Sequence, residues 1–257
     1  MRKGIPFLLM AGLLFHMACS RSRVEVKEDD LQQRFDRGME FFEKKKYFRA
    51  QDEFEYVLVR GRHTELGDDA QFYLAESYFR NKEYLLAIGE YDRLIRQMTY
   101  SPYVEESRYR ICQGYARLSP KYFHDQEYTV KAIDKLQEFV EDFPGSKYRA
   151  EAVDTIRSLR TKLARKEFEA AILYIKMEEY PSAIQYLRDL LDTYYDTDYA
   201  DQARLKIVEA YLKRGEIDKA EEFLNQNESK FRDSDMLKDA RDLILSDKAK
   251  RGENEKS

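Results

Sequence analysis

Few side chains in this 257-residue chain are spaced for catalysis, and its two cysteines stand in different contexts. Cys19 closes an apolar stretch near the amino terminus, whereas Cys112 falls within a helical pattern that needs a small buried residue. Beyond the amino-terminal stretch, the histidines are His63 and His124, far apart and at predicted turns. The sequence has no glycine-rich phosphate loop, no paired metal-ligand spacing and no nucleophile elbow. We therefore predict that the protein is not an enzyme and uses no metal or cofactor.

The amino-terminal stretch is typical of an export signal that ends at Cys19. Its apolar run, residues 5–15, is shorter than the roughly 20 residues that a membrane-spanning helix needs. The sequence that closes it, from His16 to Cys19, resembles the lipobox of bacterial lipoproteins, although His16 replaces an aliphatic residue. We expect removal of residues 1–18 and acylation of Cys19, with Ser20 favouring transfer to the outer membrane. The alternative is an ordinary cleavage site beside an incidental cysteine.

The composition favours a water-exposed, helix-rich scaffold. Charged residues make up 37 % of the chain, which contains only 10 glycines and 5 prolines. The net charge is −4, and basic and acidic residues are interspersed. Because nucleic-acid binding requires a basic stripe that follows the phosphates, the composition argues against such a partner.

Alanines recur in similar local sequence along the chain and indicate internal repeats. Two pairs of them, Ala50 with Ala87 and Ala183 with Ala220, are each 37 residues apart. Apolar residues three and four positions apart surround each alanine, which predicts helices joined by short turns. The pattern, which Ala132 also follows, resembles the tetratricopeptide repeat. We predict an all-α tetratricopeptide superhelix of five helix pairs, in two modules joined by a long helix.

The repeat pattern also sets predicted boundaries. A lipidated tether, 19–30, precedes an amino-terminal module of three repeats, 31–144. The carboxyl-terminal module, 145–246, begins with a long helix over 146–177 and contains repeats four and five. Since the tail 247–257 has no apolar residues to bury, we expect it to be disordered.

Three central motifs resemble the BamD family of outer-membrane assembly lipoproteins. The third repeat carries an eight-residue insertion around 119–128, and His124-Asp125-Gln126 opens this inserted repeat. Phe143-Pro144-Gly145-Ser146-Lys147-Tyr148 closes that repeat, and Leu163-Ala164-Arg165-Lys166-Glu167-Phe168 falls on the predicted long helix. Together with the lipobox and five repeats, these motifs extend the resemblance over nearly the whole chain.

The resemblance implies a non-catalytic subunit of the machinery that inserts β-barrel proteins, anchored by lipid on the periplasmic side of the outer membrane. The carboxyl-terminal half would hold the periplasmic domains of a BamA-like barrel subunit. The amino-terminal half would receive the carboxyl-terminal strands of unfolded outer-membrane proteins, and other assembly lipoproteins would be further partners. Tyr186 aligns with a basic residue of some family members, and Arg188 is close by, so both are candidate partner-binding residues.

A concave groove on the first helices of repeats one to three is the predicted substrate site. Phe35, Phe72 and Tyr109 are spaced 37 residues apart and should form an exposed aromatic ladder. A groove of this kind suits an extended peptide that ends in an aromatic residue and a free carboxylate, because arginines pair with the carboxylate and aromatic side chains pack on the ring. The alternative is that these side chains pack on one another. The predicted groove residues are Phe35, Met39, Phe42, Phe72, Phe79, Arg80, Tyr109 and Arg117.

A second functional class fits the same architecture. Pilotin-like lipoproteins that assist secretin or type IV pilus assembly are also lipidated tetratricopeptide proteins. The partner that co-purifies from detergent-solubilised membranes distinguishes the two hypotheses.

Overall fold

The computed structural model describes the backbone of residues 28–254 and the side chains of residues 30–251. The predicted signal segment and Cys19 lie outside this part of the chain. Within it there are α-helices, one 3-10 turn (Glu228–Lys230) and no strand, which confirms the all-α prediction. The helices are α1 (Glu28–Glu43), α2 (Tyr47–Gly61), α3 (Gly67–Arg80), α4 (Tyr84–Gln97), α5 (Val104–Leu118), α6 (Glu127–Asp142), α7 (Arg149–Lys176), α8 (Tyr180–Thr193), α9 (Tyr199–Lys213), α10 (Ile217–Asn227) and α11 (Ser234–Asn254).

Consecutive helices pack against each other from α1 to α10 as five pairs. The repeat alanines lie where the two helices of each pair meet, because only a small side chain lets the backbones approach closely. A Cβ atom added to Gly38 in α1 would lie only 2.7 Å from the ring of Phe54 in α2. The alanines that are fully buried at these contacts are Ala50, Ala87, Ala132, Ala183 and Ala220.

Helix α7 is shared by two hydrophobic cores. Its first half contributes Ala152 and Leu159 to the core formed with α5 and α6. Its second half contributes Phe168 and Ala171 to the core formed with α8, α9 and α10. Its 28 residues contain neither glycine nor proline, so the helix continues without a break close to the predicted bounds. The division of the chain into two modules at residue 144 stays a prediction.

A salt bridge fastens the first half of α7 to the turn between α8 and α9. The Arg160 guanidinium donates from Nε and an Nη atom to both carboxylate oxygens of Asp196, at 2.6–3.2 Å. It also donates to the backbone carbonyl of Thr193 at 2.7 Å. The hydrogen bonds from Arg160 lower the pKa of Asp196 below its usual value. This bidentate contact ties the part of α7 that packs on α5 and α6 to the turn between α8 and α9.

Helix α11 packs on α9 and α10 as a further helix after the five predicted pairs. The turn that leads into it is held by Asp201 of α9, whose Oδ2 accepts from the backbone N–H groups of Arg232 and Asp233 at 2.8 Å. The other carboxylate oxygen of Asp201 accepts from buried Arg204 at 2.6 Å. This packing encloses Ala240, which the sequence analysis did not place in a core.

The structure differs from the prediction of a disordered tail at 247–257 for residues 247–254, because α11 continues to Asn254, and 255–257 lie outside the described residues. Side-chain contacts rather than apolar burial stabilise this last stretch. Arg251 donates to Asp247 at 2.9 Å, one turn earlier, and Lys248 pairs with Glu221 of α10. None of the helices in the described residues has the length and apolar content needed to cross a bilayer.

Four of the tight turns that join the two helices of a pair each have one residue in the left-handed region of the backbone map. These residues are Lys45 (φ 56°), Lys82 (φ 65°), Glu178 (φ 60°) and Gly215 (φ 78°), and the spacing is 37 residues within each half. A side chain disfavours this conformation by roughly 1–2 kcal/mol, and glycine avoids that cost. Gly215 is therefore the only one of the four that fits its turn without strain.

We predict that Lys45→Gly raises the free energy of unfolding by about 0.5–1 kcal/mol, because the relief of backbone strain exceeds the added entropy of the unfolded chain. The converse change, Gly215→Ala, should lower it by about 1 kcal/mol. Urea titration followed by circular dichroism measures both. Equal midpoints for the two variants would contradict the turn analysis.

We predict that Arg160→Ala lowers the free energy of unfolding by about 1 kcal/mol at neutral pH, a value limited by the partial solvent exposure of the pair. Because the folded-state pKa of Asp196 is depressed, its stabilisation is present above the unfolded-state pKa and is lost as pH falls through the folded-state value. The difference between wild type and variant should therefore shrink below about pH 4. Denaturant titrations at pH 7 and pH 3 test this, and a constant difference would contradict it.

Candidate functional site

The predicted aromatic ladder is buried between repeats rather than exposed. Phe72 is 6 % exposed and stacks on Tyr103, with ring centroids 4.3 Å apart and planes 14° apart. Tyr109 is 2 % exposed and stacks on Tyr148 at 4.5 Å and 13°. The prediction that these two rings are exposed is therefore wrong. Each one packs on a tyrosine that directly precedes the next first helix, and this stacking removes more apolar surface from water than a groove position would.

The same junctions are tied by repeated hydrogen bonds. Ser101 donates to Asp68 at 2.9 Å, and Ser146 donates to Glu105 at 2.6 Å. Asp68 and Glu105 occupy the first turns of α3 and α5, where a negative charge is favourable. These contacts fix the orientation of successive repeats and therefore of any surface that runs across them.

The predicted groove residues of repeat one are partly buried around Tyr73. Phe35 lies 6.2 Å from Tyr73 and Phe42 lies 5.6 Å from it, measured between ring centroids. Phe35 also contacts Phe54, and Met39 packs on the same core. These side chains are therefore only partly accessible to solvent.

Three other predicted residues meet in a basic cleft between the carboxyl-terminal end of α3 and helix α5. Its volume is about 380 Å³. Lys82 and Arg117 have no ion-pair partner among the described side chains, so the cleft keeps positive charge that faces solvent. The cleft is lined by Phe79, Arg80, Lys82, Tyr84, Arg110, Gln113 and Arg117.

A buried carboxylate orients the arginines of this basic cleft. Glu76 is 3 % exposed, and its oxygens lie 2.8 Å from Nε of Arg110 and 3.3 Å from Nε of Arg80. The hydroxyl of buried Tyr91 also donates to Glu76, and burial raises the pKa of this tyrosine well above its usual value. The Arg110 guanidinium lies 5.7 Å from the ring centroid of Phe79. Glu76 engages Arg80 through Nε, and the terminal guanidinium nitrogens of Arg80, which have no partner among the described residues, remain available to an anion. The terminal nitrogens of Arg110 already donate to Gln113 and Glu106, at 3.0 and 3.3 Å.

Sequence reasoning found Arg80 and Arg117 from their matching positions but missed Glu76 and Arg110. Glu76 precedes Arg80 by four residues, a spacing that brings opposite charges together on one helix face. That signal was present in the sequence. The contact of Arg110 with Glu76 joins two repeats, and no local spacing predicts it.

The two predicted partner-binding residues do not form one site. Tyr186 stacks on Tyr174 of α7, with ring centroids 5.1 Å apart. Arg188 instead donates to the hydroxyl of Tyr211 at 3.1 Å and lies 5.5 Å from the ring centroid of Phe223. Residues two positions apart face different sides of a helix, which explains the separation. Arg188 lines a cleft of about 660 Å³ between α8 and α10.

The inserted loop between α5 and α6 is held by one glutamine. Gln126 donates to the backbone carbonyls of Lys121, Tyr122 and His124 at 2.9, 3.3 and 3.0 Å. Lys166 of α7 also donates to the His124 carbonyl, at 3.1 Å. The first and third family motifs therefore meet in space, and together they fix the conformation of the insertion.

Cys112 is a structural residue. Its thiol donates to the carbonyls of Lys135 at 3.1 Å and Arg108 at 3.3 Å. Burial raises its pKa to about 12, so the thiol stays protonated and is a poor nucleophile. Within the described residues, no three His, Cys, Asp or Glu side chains are grouped to hold a metal ion.

Paired helices, buried alanines and tied repeat junctions define a helical-repeat protein of the tetratricopeptide class. The sequence profile of the YfiO family, described as outer membrane lipoprotein, matches residues 27–226. Because this match covers most of the chain, the protein belongs to this family of outer membrane lipoproteins.

Relatives with similar sequences carry the name outer membrane protein assembly factor BamD. The Rickettsia prowazekii (strain Madrid E) protein is 25 % identical over 177 residues, which cover 69 % of this chain and 70 % of the relative. The Caulobacter vibrioides protein is 23 % identical over 174 residues, or 68 % of this chain and 57 % of that protein. The Pasteurella multocida (strain Pm70) protein is 24 % identical over 222 residues, which cover 82 % of this chain and 85 % of the relative.

Among solved structures, the TPR2AB domain of yeast Sti1 in its pHSP90 complex is similar in part. The match has a TM-score of 0.44 and 14 % identity, and it covers 86 % of this chain and 99 % of that chain.

We predict that Glu76→Gln lowers the free energy of unfolding by about 2–3 kcal/mol, because two arginines lose their buried counter-charge. Tyr91→Phe should cost only about 1 kcal/mol, since it removes one hydrogen bond and leaves the ion pairs in place. Chemical denaturation of both variants measures the difference. A larger loss for Tyr91→Phe would contradict the assigned role of Glu76.

Proposed function

We propose that this protein is a lipid-anchored, non-catalytic scaffold on the periplasmic side of the outer membrane that acts in the assembly of β-barrel proteins. Its family membership and the assembly factors among its relatives support this role. They do not favour the alternative of a pilotin-like role in secretin or pilus assembly. Acylation of Cys19 supplies the anchor in this proposal.

The basic cleft is the proposed site for the carboxyl-terminal strand of an unfolded barrel protein. The observation that carries this assignment is the pair of arginines that line the cleft, Arg80 and Arg117, whose terminal guanidinium nitrogens have no partner among the described residues. A terminal carboxylate would pair with the guanidinium groups, and a terminal aromatic ring would pack on Phe79 and Tyr84. No step of the proposal requires bond making or breaking.

The carboxyl-terminal half is the proposed docking region for a BamA-like barrel subunit. The cleft between α8 and α10 offers Arg188 and Arg232 together with the exposed ring of Tyr195. Arginine and aromatic side chains are the residue types most often found at the centre of protein interfaces. Arg188 remains a candidate contact, whereas Tyr186 faces α7 and contributes to packing.

The decisive experiment compares synthetic peptides that match the last strand of a barrel protein. We expect a peptide with a terminal phenylalanine and free carboxylate to bind about tenfold more tightly than its carboxyl-terminal amide, because amidation removes the charge that the arginines recognise. Replacing the terminal phenylalanine by alanine should weaken binding as well. Fluorescence anisotropy at fixed salt measures these affinities.

Variants locate the site. Arg117→Ala removes a cleft cation that has no ion-pair partner in the described residues, and it should reduce the preference for the free carboxylate. Arg96→Ala serves as a matched control, because Arg96 is an exposed arginine of α4 that pairs with Asp92 of the same helix. Equal affinity for acid and amide, or equal losses in the two variants, would refute the site.

A further inference from the structure

Exposed apolar side chains concentrate on the edge of the repeats that carries the turns from first to second helix. We call this the A–B edge and define it by residues 44–49, 81–86 and 119–131. It holds five of the twelve most exposed large apolar residues in the described part of the chain. With their exposed fractions, these are Phe48 (69 %), Leu85 (54 %), Leu86 (54 %), Phe123 (59 %) and Val130 (46 %).

Repeat packing does not account for these residues. Phe48, Leu85 and Val130 each precede a repeat alanine by two positions. Since successive helical residues are rotated by about 100°, a residue two places before an inward-facing alanine points away from the pair. Apolar residues that recur at an outward position in three repeats indicate a surface that is covered by something outside the chain.

The A–B edge is also basic, although the chain has a net charge of −4. Its three segments contain seven lysine or arginine residues and three aspartate or glutamate residues. Lys45, Lys46, Lys82 and Lys121 have no carboxylate partner within salt-bridge distance in the described part of the chain. Exposed apolar side chains among unpaired lysines match the interfacial region of an anionic bilayer, where rings enter the headgroup layer and cations meet lipid phosphates.

The inserted loop contributes a fixed aromatic tip to this edge. The ring centroid of Phe123 lies 4.4 Å from that of His124 and 5.3 Å from that of Tyr122. The hydrogen bonds of Gln126 hold the loop backbone, so the loop loses little conformational entropy when its tip enters the headgroup layer of a bilayer. Tyrosine is enriched at membrane interfaces because its ring is apolar and its hydroxyl is polar, and phenylalanine is common on the apolar faces of helices that lie in the interface.

We propose that the A–B edge of repeats one to three lies on the anionic surface of the bilayer to which the protein is anchored. The lipid anchor permits this orientation. The 16 residues of α1 extend about 24 Å and end at the A–B edge. The nine steps from Cys19 to Glu28 can reach up to about 30 Å, so the predicted acyl chains and the edge can share one bilayer.

The test uses the acylated full chain in vesicles of phosphatidylethanolamine and phosphatidylglycerol. Nitroxide labels are attached through Phe48→Cys or Val59→Cys, at opposite ends of α2, where the native side chains are similarly exposed at 69 % and 77 %. Buried Cys112 does not compete for the label. Paramagnetic resonance then measures collisions of each label with oxygen, which is concentrated in lipid, and with a water-soluble nickel complex.

We expect the ratio of oxygen to nickel collisions to be several-fold higher at position 48 than at position 59. The difference should fall in neutral phosphatidylcholine vesicles and in a Lys45→Glu, Lys46→Glu background, because both changes remove charge attraction. Equal ratios at the two positions would overturn the proposal. A label at position 48 that is shielded from both reagents would also overturn it, since a protein partner or second copy would then cover the edge.

Discussion

The close approach of two helices at a buried alanine is the constraint on which the rest of this structure depends. Each alanine fixes where one helix crosses its partner, and the 37-residue spacing of Ala50 to Ala87 and of Ala183 to Ala220 places equivalent residues at equivalent points of those repeats. The left-handed turn residues, the outward apolar positions and the arginines of the basic cleft all inherit their locations from that crossing. A larger side chain there would separate the helices and shift each of these features together.

The sequence predicted the helices, the fully buried alanines and the continuity of α7, because these follow from periodicity and the absence of helix breakers. It failed for Phe72 and Tyr109, since their stacking partners Tyr103 and Tyr148 lie in the turns between repeats, outside the helical periodicity from which the groove was predicted. It also missed α11, whose start depends on Asp201 capping a distant turn. Contacts between elements, rather than local preference, decided these features.

The candidate site likewise combines residues that the sequence predicted with residues that it missed. Arg80 and Arg117 were predictable because they repeat at one helical position, and the structure places both in the basic cleft. Glu76 and Arg110 complete the cleft through a contact across repeats, which a linear pattern does not encode. Buried Glu76 is stable there because its two arginines and the Tyr91 hydroxyl compensate the loss of water. The cleft is therefore built partly by repeat geometry and partly by a charge network.

The uninterrupted α7 also gives the molecule a mechanical property. With 28 residues it is about 42 Å long. Because each half is embedded in a different core, a tilt of about five degrees at one end would displace the other by roughly 4 Å, as in a lever. A displacement near the third repeat would thus be passed by α7 to the core that it shares with α8, α9 and α10.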